Sequence, residues 1–152
     1  MVRDEPHLRT LLRGALNGGT SVVLATCGED GTPSTALNSW IIAKDENVIA
    51  LAMDTRSTAY ANISAGRRRV GFEVLADDLI LAVRGTASVV KERLETVAFP
   101  CAMVHIAVDG IRDHTVTSVR FQGPRYTYAD NKGHRSDIEL AIFAELARDV
   151  AE

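Results

Sequence analysis

The apolar run 48-VIALAM-53 ends abruptly in Asp54-Thr55-Arg56-Ser57-Thr58, and a short segment with Ala and Ile at helical spacing then leads into Arg67-Arg68-Arg69. Hydroxyls and a guanidinium therefore stand where a strand passes into a helix. The first turn of a helix leaves N–H groups unpaired and carries a partial positive charge. An anion placed there could accept those N–H bonds, hydroxyl bonds from Thr55 and Ser57, and a bidentate bond from Arg56. The local alternative is that Thr55 or Ser57 simply caps the helix while Arg56 faces water. Arg67 to Arg69 divide in the same way, between a solvated turn and a supplementary anion contact.

Other chemistries find no such cluster. His7, His105, His114 and His134 have no partner at metal-ligand spacing, and HExxH, GxSxG, the P-loop and GxGxxG are absent. The acid pairs Glu29-Asp30 and Asp77-Asp78 sit in turns, where carboxylates serve local hydrogen bonds. No catalytic residue is assigned, because no set of side chains here runs acid–base or nucleophilic chemistry alone. An enzyme built on this chain would leave the hard chemistry to a cofactor. Cys27 and Cys101 are far apart, form no CxxC pair and have apolar neighbours, so both are expected to be buried free thiols.

The elements that must position these residues follow from periodicity. Asp4-Glu5-Pro6 opens a helix with Leu8, Leu11, Leu12, Ala15 and Leu16 at helical spacing, closed by Asn17-Gly18-Gly19. SVVLAT, then 35–42 (TALNSWII), then VIALAM read as three strands joined by polar turns, an antiparallel meander. A short helix is expected over 57–65, a strand over 70–75, and a long strand over 79–90 with Gly85 marking a bulge or close approach. Residues 91–97 look helical, and 99–113 suit a strand or a helix equally. Strands are expected at 115–121 and 125–128. Ser136 with Glu139 forms a capping box for a last helix, 137–150.

At 152 residues the chain is expected to form one domain: an N-terminal helix in 1–19, a barrel over 20–130 and a C-terminal helix over 134–150. Closely spaced strands with hairpin connections argue for a closed or partly closed antiparallel barrel, mainly β with flanking helices. The net charge of −3 argues against nucleic acid as the main partner. No apolar stretch reaches membrane-spanning length, and the N-terminus lacks the core of a signal peptide, so a cytoplasmic location with no membrane partner is expected.

The run from Ser21 to Val90 resembles the FMN-binding split-barrel family, which includes the pyridoxamine 5′-phosphate oxidases. The resemblance rests on LAT-turn-DGTP, the Ser39-Trp40 strand, the third strand ending in TRS, Asn62, the RV pair and the VRGTA strand. TSVRFQGPRYTY resembles the last barrel strands of that family. It implies a six-stranded antiparallel Greek-key split β-barrel that forms a homodimer, with a flavin in each groove between subunits and a small-molecule substrate. The flavin ring edge would run along Asn38, Ser39, Trp40 and Ile41, largely through backbone groups, with core packing as the other role for Trp40. Met53, Thr55, Arg56, Ser57 and the helix to Asn62 would hold the ribityl phosphate. Arg125 of the partner subunit would supplement it, and Tyr126 and Tyr128 would line the groove or pack the core. The implied activity is an FMN-dependent oxidoreductase transferring hydride or electrons. Alternatives of the same fold are an F420-dependent reductase, with Arg67 to Arg69 meeting the acidic tail, or a non-catalytic flavin- or haem-binding module. Two departures stand out. Ala59 replaces the lysine or arginine that the family usually carries two residues after the serine. The arginine- and tryptophan-bearing end that holds the substrate phosphate in authentic pyridoxamine phosphate oxidases is replaced by a helix, so that reaction is not assigned.

Overall fold

The computed structural model describes residues 3–151. The Asp4 side chain caps the first helix, α1 (Glu5–Ala15), by accepting the His7 N–H at 3.0 Å, with Pro6 in the first turn, where its missing N–H costs nothing. Seven strands follow: β1 (Val22–Cys27), β2 (Pro33–Asn38), β3 (Ile41–Ala43), β4 (Val48–Asp54), β5 (Arg69–Ala76), β6 (Leu79–Lys91) and β7 (Cys101–Asp113). Helix α2 (Thr58–Ser64) lies between β4 and β5, and α3 (Arg135–Ala147) comes last. The strands form one antiparallel sheet in the order β2-β1-β5-β6-β7-β4-β3.

The two edge strands of that sheet, β2 and β3, are consecutive in sequence. Ser39 and Trp40 alone carry the chain from one edge to the other. The Asn38 side-chain amide donates to the Ala52 carbonyl at 3.1 Å, and the Ala52 N–H donates to the Trp40 carbonyl at 2.9 Å, stitching the edges together. The sheet is thereby curled into a split barrel, the expected fold class, with one strand more than expected. The continuous strand read over 35–42 is in fact two. Its first half pairs with β1 and its second with β4, because Asn38 spends its side chain on β4 at the crossing.

Inside the barrel, Val22, Leu24, Ile41, Ile49, Leu51, Phe72, Val74, Leu81, Val83, Val104 and Ile106 share one core with Leu8, Leu12 and Leu16 from the α1 region and Ala59 and Ile63 of α2. A second cluster lies on the outer side of β4 and β7. There Ile142 and Leu146 of α3 pack on Ile42, Ala50, Ala52, Cys101 and Met103, with Leu94 and Val97 beside them. Strand β4 is thus buried on both faces, which is why VIALAM shows no polar alternation. Gly85 sits at a register shift between β6 and β7; a Cβ there would meet Ile106 Cγ2 at 2.4 Å and the Ala107 carbonyl at 2.6 Å. The expected bulge and close approach coincide at this one residue.

Other expectations are corrected. Residues 91–97 form no helix: β6 runs to Lys91 and turns follow, because Leu94 and Val97 are consumed by the α3 cluster rather than by a helical face. The ambiguous 99–113 resolves as β7 from Cys101. Neither 115–121 nor 125–128 is a strand. That segment is irregular and is held by side chains, with the Phe121 and Gly123 N–H groups donating to the Asp78 and Asp77 carboxylates. The Ser136–Glu139 capping box does not form. His134 occupies the N-cap without a side-chain bond, and Glu139 instead accepts from Tyr126 and Tyr128. Cys101 is buried as expected, but Cys27 is exposed, because it lies at the outward-facing end of β1.

Candidate functional site

The crossing between the two sheet edges opens a cavity of about 240 Å³. Of the residues read from sequence, Asn38, Ser39, Trp40, Met53 and Ser57 line it, together with Leu24, Ala36, Leu37, Ala52, Asp54, Ala59 and Phe99. Trp40 stacks on Phe99 with centroids 5.7 Å apart and planes 25° apart, giving the cavity an aromatic wall backed by the α3 cluster. Ile41 is fully buried in the barrel core and does not line the cavity with its side chain.

Asn38 is the pivotal polar group. Its amide nitrogen is committed to Ala52, which fixes the orientation of the carboxamide. Its Oδ1 is buried and accepts no hydrogen bond. A buried acceptor without a donor is costly, and here it belongs to a residue that lines a cavity. The cavity thus joins an aromatic wall to a residue whose side-chain oxygen has no partner.

The strand-to-helix turn behaves differently from the anion cradle. Ser57 is the N-cap of α2, its hydroxyl accepting the Tyr60 N–H at 3.1 Å. The Thr55 N–H and hydroxyl both point to the Pro100 carbonyl, at 3.1 and 3.5 Å. Arg56 is exposed and does not line the cavity. Its Nε and Nη2 donate to the two oxygens of Asp54, at 2.9 and 2.7 Å, and its backbone N–H adds a third bond at 2.8 Å. These bonds hold the Asp54 carboxyl down at about 2. Among the described residues, Asp54 is the one charged side chain lining the cavity.

The remaining cations stand elsewhere. Arg67 donates to the Cys27 carbonyl at 3.0 Å, and Arg68 to the Ala87 carbonyl at 2.8 Å. Asn62 is a buried post, donating to Thr26 Oγ1 at 3.0 Å. Arg125 pairs with Asp77 of its own chain, in a separate hollow with Asp78 and Arg120. Tyr126 and Tyr128 both donate to Glu139, tying their segment to α3. Burial and the Glu139 carboxylate push the Tyr126 phenol up to about 12, against a Ser39 contact that works the other way. A larger depression of about 530 Å³ is lined by residues of β1, β5 and β6 with Arg69, Arg84 and Asp109; of the candidate anion contacts it holds Arg69 alone, and it lies apart from the residues expected at the ring and phosphate.

Of the lining residues not expected at the site, Phe99 and Asp54 bear most on its chemistry. Phe99 opens the segment 99–113, which periodicity leaves open between strand and helix. Asp54 enters the sequence reading only as the first residue after the apolar run VIALAM.

A family model described as pyridoxamine 5′-phosphate oxidase matches residues 8–128. No curated protein sequence matches the chain. Among solved structures, an F420 reductase is similar at 21% identity and a TM-score of 0.55, over 66% of this chain and 94% of the other. An FMN-binding protein from Syntrophomonas wolfei subsp. wolfei is similar at 17% identity and 0.54, over 72% and 92%. HupZ of Group A Streptococcus reaches 0.60 at 15% identity, over 78% and 98%. At these identities the likeness is one of fold.

Proposed function

The chain belongs to the pyridoxamine 5′-phosphate oxidase family, and we propose that it is a flavin-type oxidoreductase that seats the cofactor ring in the cavity at the sheet crossing. The observation that carries this reading is the buried, unpaired Oδ1 of Asn38, a residue lining an aromatic-walled cavity at the place where the family resemblance implies the ring edge. A flavin-type ring is planar and has one ring N–H able to satisfy such an acceptor. When bound, it supplies hydride or electron transfer to or from a small molecule. The chain's own residues would exclude water with the Trp40–Phe99 wall and fix the ring's orientation through Asn38.

At about 240 Å³ the cavity is smaller than the roughly 300–1,000 Å³ of sites that enclose a whole ligand. This supports a ring seated by one subunit and closed over by a second copy of the chain. FMN is the first choice of cofactor and F420 the second.

The test is direct. The purified protein is expected to carry, or take up, FMN or F420 with the matching absorption spectrum, to be bleached on reduction by NAD(P)H or another hydride donor, and to melt at a higher temperature when loaded. A colourless protein whose melting temperature responds to neither compound would overturn the reading, and a Soret band would move it to haem.

A further inference from the structure

The flavin reading leaves open what the cavity does with the charged end of such a ligand. The charges around the cavity are unevenly placed. Asp54 lines the cavity, and Ala59, on the first turn of α2, brings no charge to it. Arg56 is turned away and clamped by three hydrogen bonds to the same carboxylate. Arg67 and Arg68 are fixed on backbone carbonyls outside the cavity. The Thr55 N–H, which would otherwise be offered to an anion, is already paired with the Pro100 carbonyl, and the Ser57 oxygen accepts the Tyr60 N–H, leaving its hydroxyl proton as the one uncharged side-chain donor this turn offers.

Resting on that reading, we propose that Asp54 sets the ligand selectivity of this cavity: it occupies Arg56 and places a carboxylate on the cavity lining, so that binding gains little from a terminal phosphate on the ring's side chain. A phosphate arriving here meets a carboxylate first. It recruits Arg56 only by breaking a bidentate pair and a backbone bond, which returns about what it gains. Selectivity then rests on the ring, through Asn38 and the aromatic wall.

The experiment measures dissociation constants for riboflavin and FMN by fluorescence quenching and takes the ratio of the first to the second. In the native sequence the ratio is expected to stay within about threefold of unity, and Asp54→Asn is expected to raise it about tenfold, the range for one charged hydrogen bond gained. Arg56→Ala alone is expected to leave the ratio unchanged, yet to erase the gain in the Asp54→Asn background. Both side chains are exposed, and folding is checked by circular dichroism; Asp54→Ser makes the same comparison if the asparagine variant does not fold. A tenfold fall in the ratio on Arg56→Ala alone, or any fall on Asp54→Asn, would overturn the assignment while leaving the flavin reading intact. Failure of both flavins to bind every variant would overturn the two together.

Discussion

Asn38 puts the two ends of one carboxamide to different uses. The nitrogen closes the sheet crossing onto Ala52, and the oxygen waits for a donor. Replacing it with alanine should do two separable things. Loss of the Ala52 bond, with a buried carbonyl left unpaired, should cost about 1–2 kcal/mol of stability by urea denaturation. Loss of the acceptor should also weaken riboflavin about tenfold, a charge-independent effect that FMN shares. An equal stability loss with unaltered flavin affinity would assign Asn38 to the fold alone. At this scale sequence was a fair guide to location and a poor one to role. Type and spacing brought out Ser57, and the family resemblance Asn38, Ser39, Trp40 and Met53, which do line one cavity. They could not show that Arg56 would turn back on Asp54 or Arg125 onto Asp77, because side-chain partners three-dimensionally near are chosen by geometry that periodicity does not encode.

The element most exposed to a single substitution is α3. Glu145 is 2% exposed and accepts from Lys91 Nζ at 2.9 Å, from the Thr96 hydroxyl at 2.7 Å, and from the N–H groups of Glu95 and Thr96. Burial alone would raise its carboxyl, but these bonds outweigh it and hold the group down at about 2 against an ordinary 4.5. A carboxyl lowered on folding contributes stability in full above about 4.5 and loses it as pH falls toward about 2. Acid titration should therefore release α3 and the 92–99 turn ahead of the barrel, read as hydrogen exchange rising there first. Glu145→Gln should flatten that acid dependence and cost about 2–3 kcal/mol at neutral pH. Helix α3 lies within two or three residues of its expected bounds, and Gly85 sits at the expected bulge, since both are local signals. Residues 91–97 have helical spacing without being a helix, because Leu94 and Val97 answer to a helix some fifty residues away.

For the whole molecule, what matters is that both free edges of the sheet meet at the candidate site. Leu37, on edge strand β2, is 72% exposed while lining the cavity, and Ile138 and Leu140 on α3 are exposed as well. An apolar side chain left open on a free strand edge invites pairing with another chain. A cavity of about 240 Å³ likewise needs another wall before it holds an entire cofactor. The proposed homodimer answers both demands at once, and the resemblance had implied it, although nothing in one chain's periodicity encodes a subunit interface. Leu37→Glu isolates the point, because the residue contributes little to the folded monomer's core. Light scattering should give a dimer for the native chain and a monomer, or a concentration-dependent mixture, for the variant, with thermal stability of the barrel little changed. Flavin affinity should fall in step with dissociation and recover at high protein concentration, since the second wall returns with the partner. Dissociation with undiminished affinity would mean that one chain suffices to bind the ring. A native chain that is monomeric at every concentration, yet binds flavin, would place the closing wall within the subunit, with the Tyr126–Glu139–Tyr128 cluster beside Ser39 as the nearest structure able to provide it.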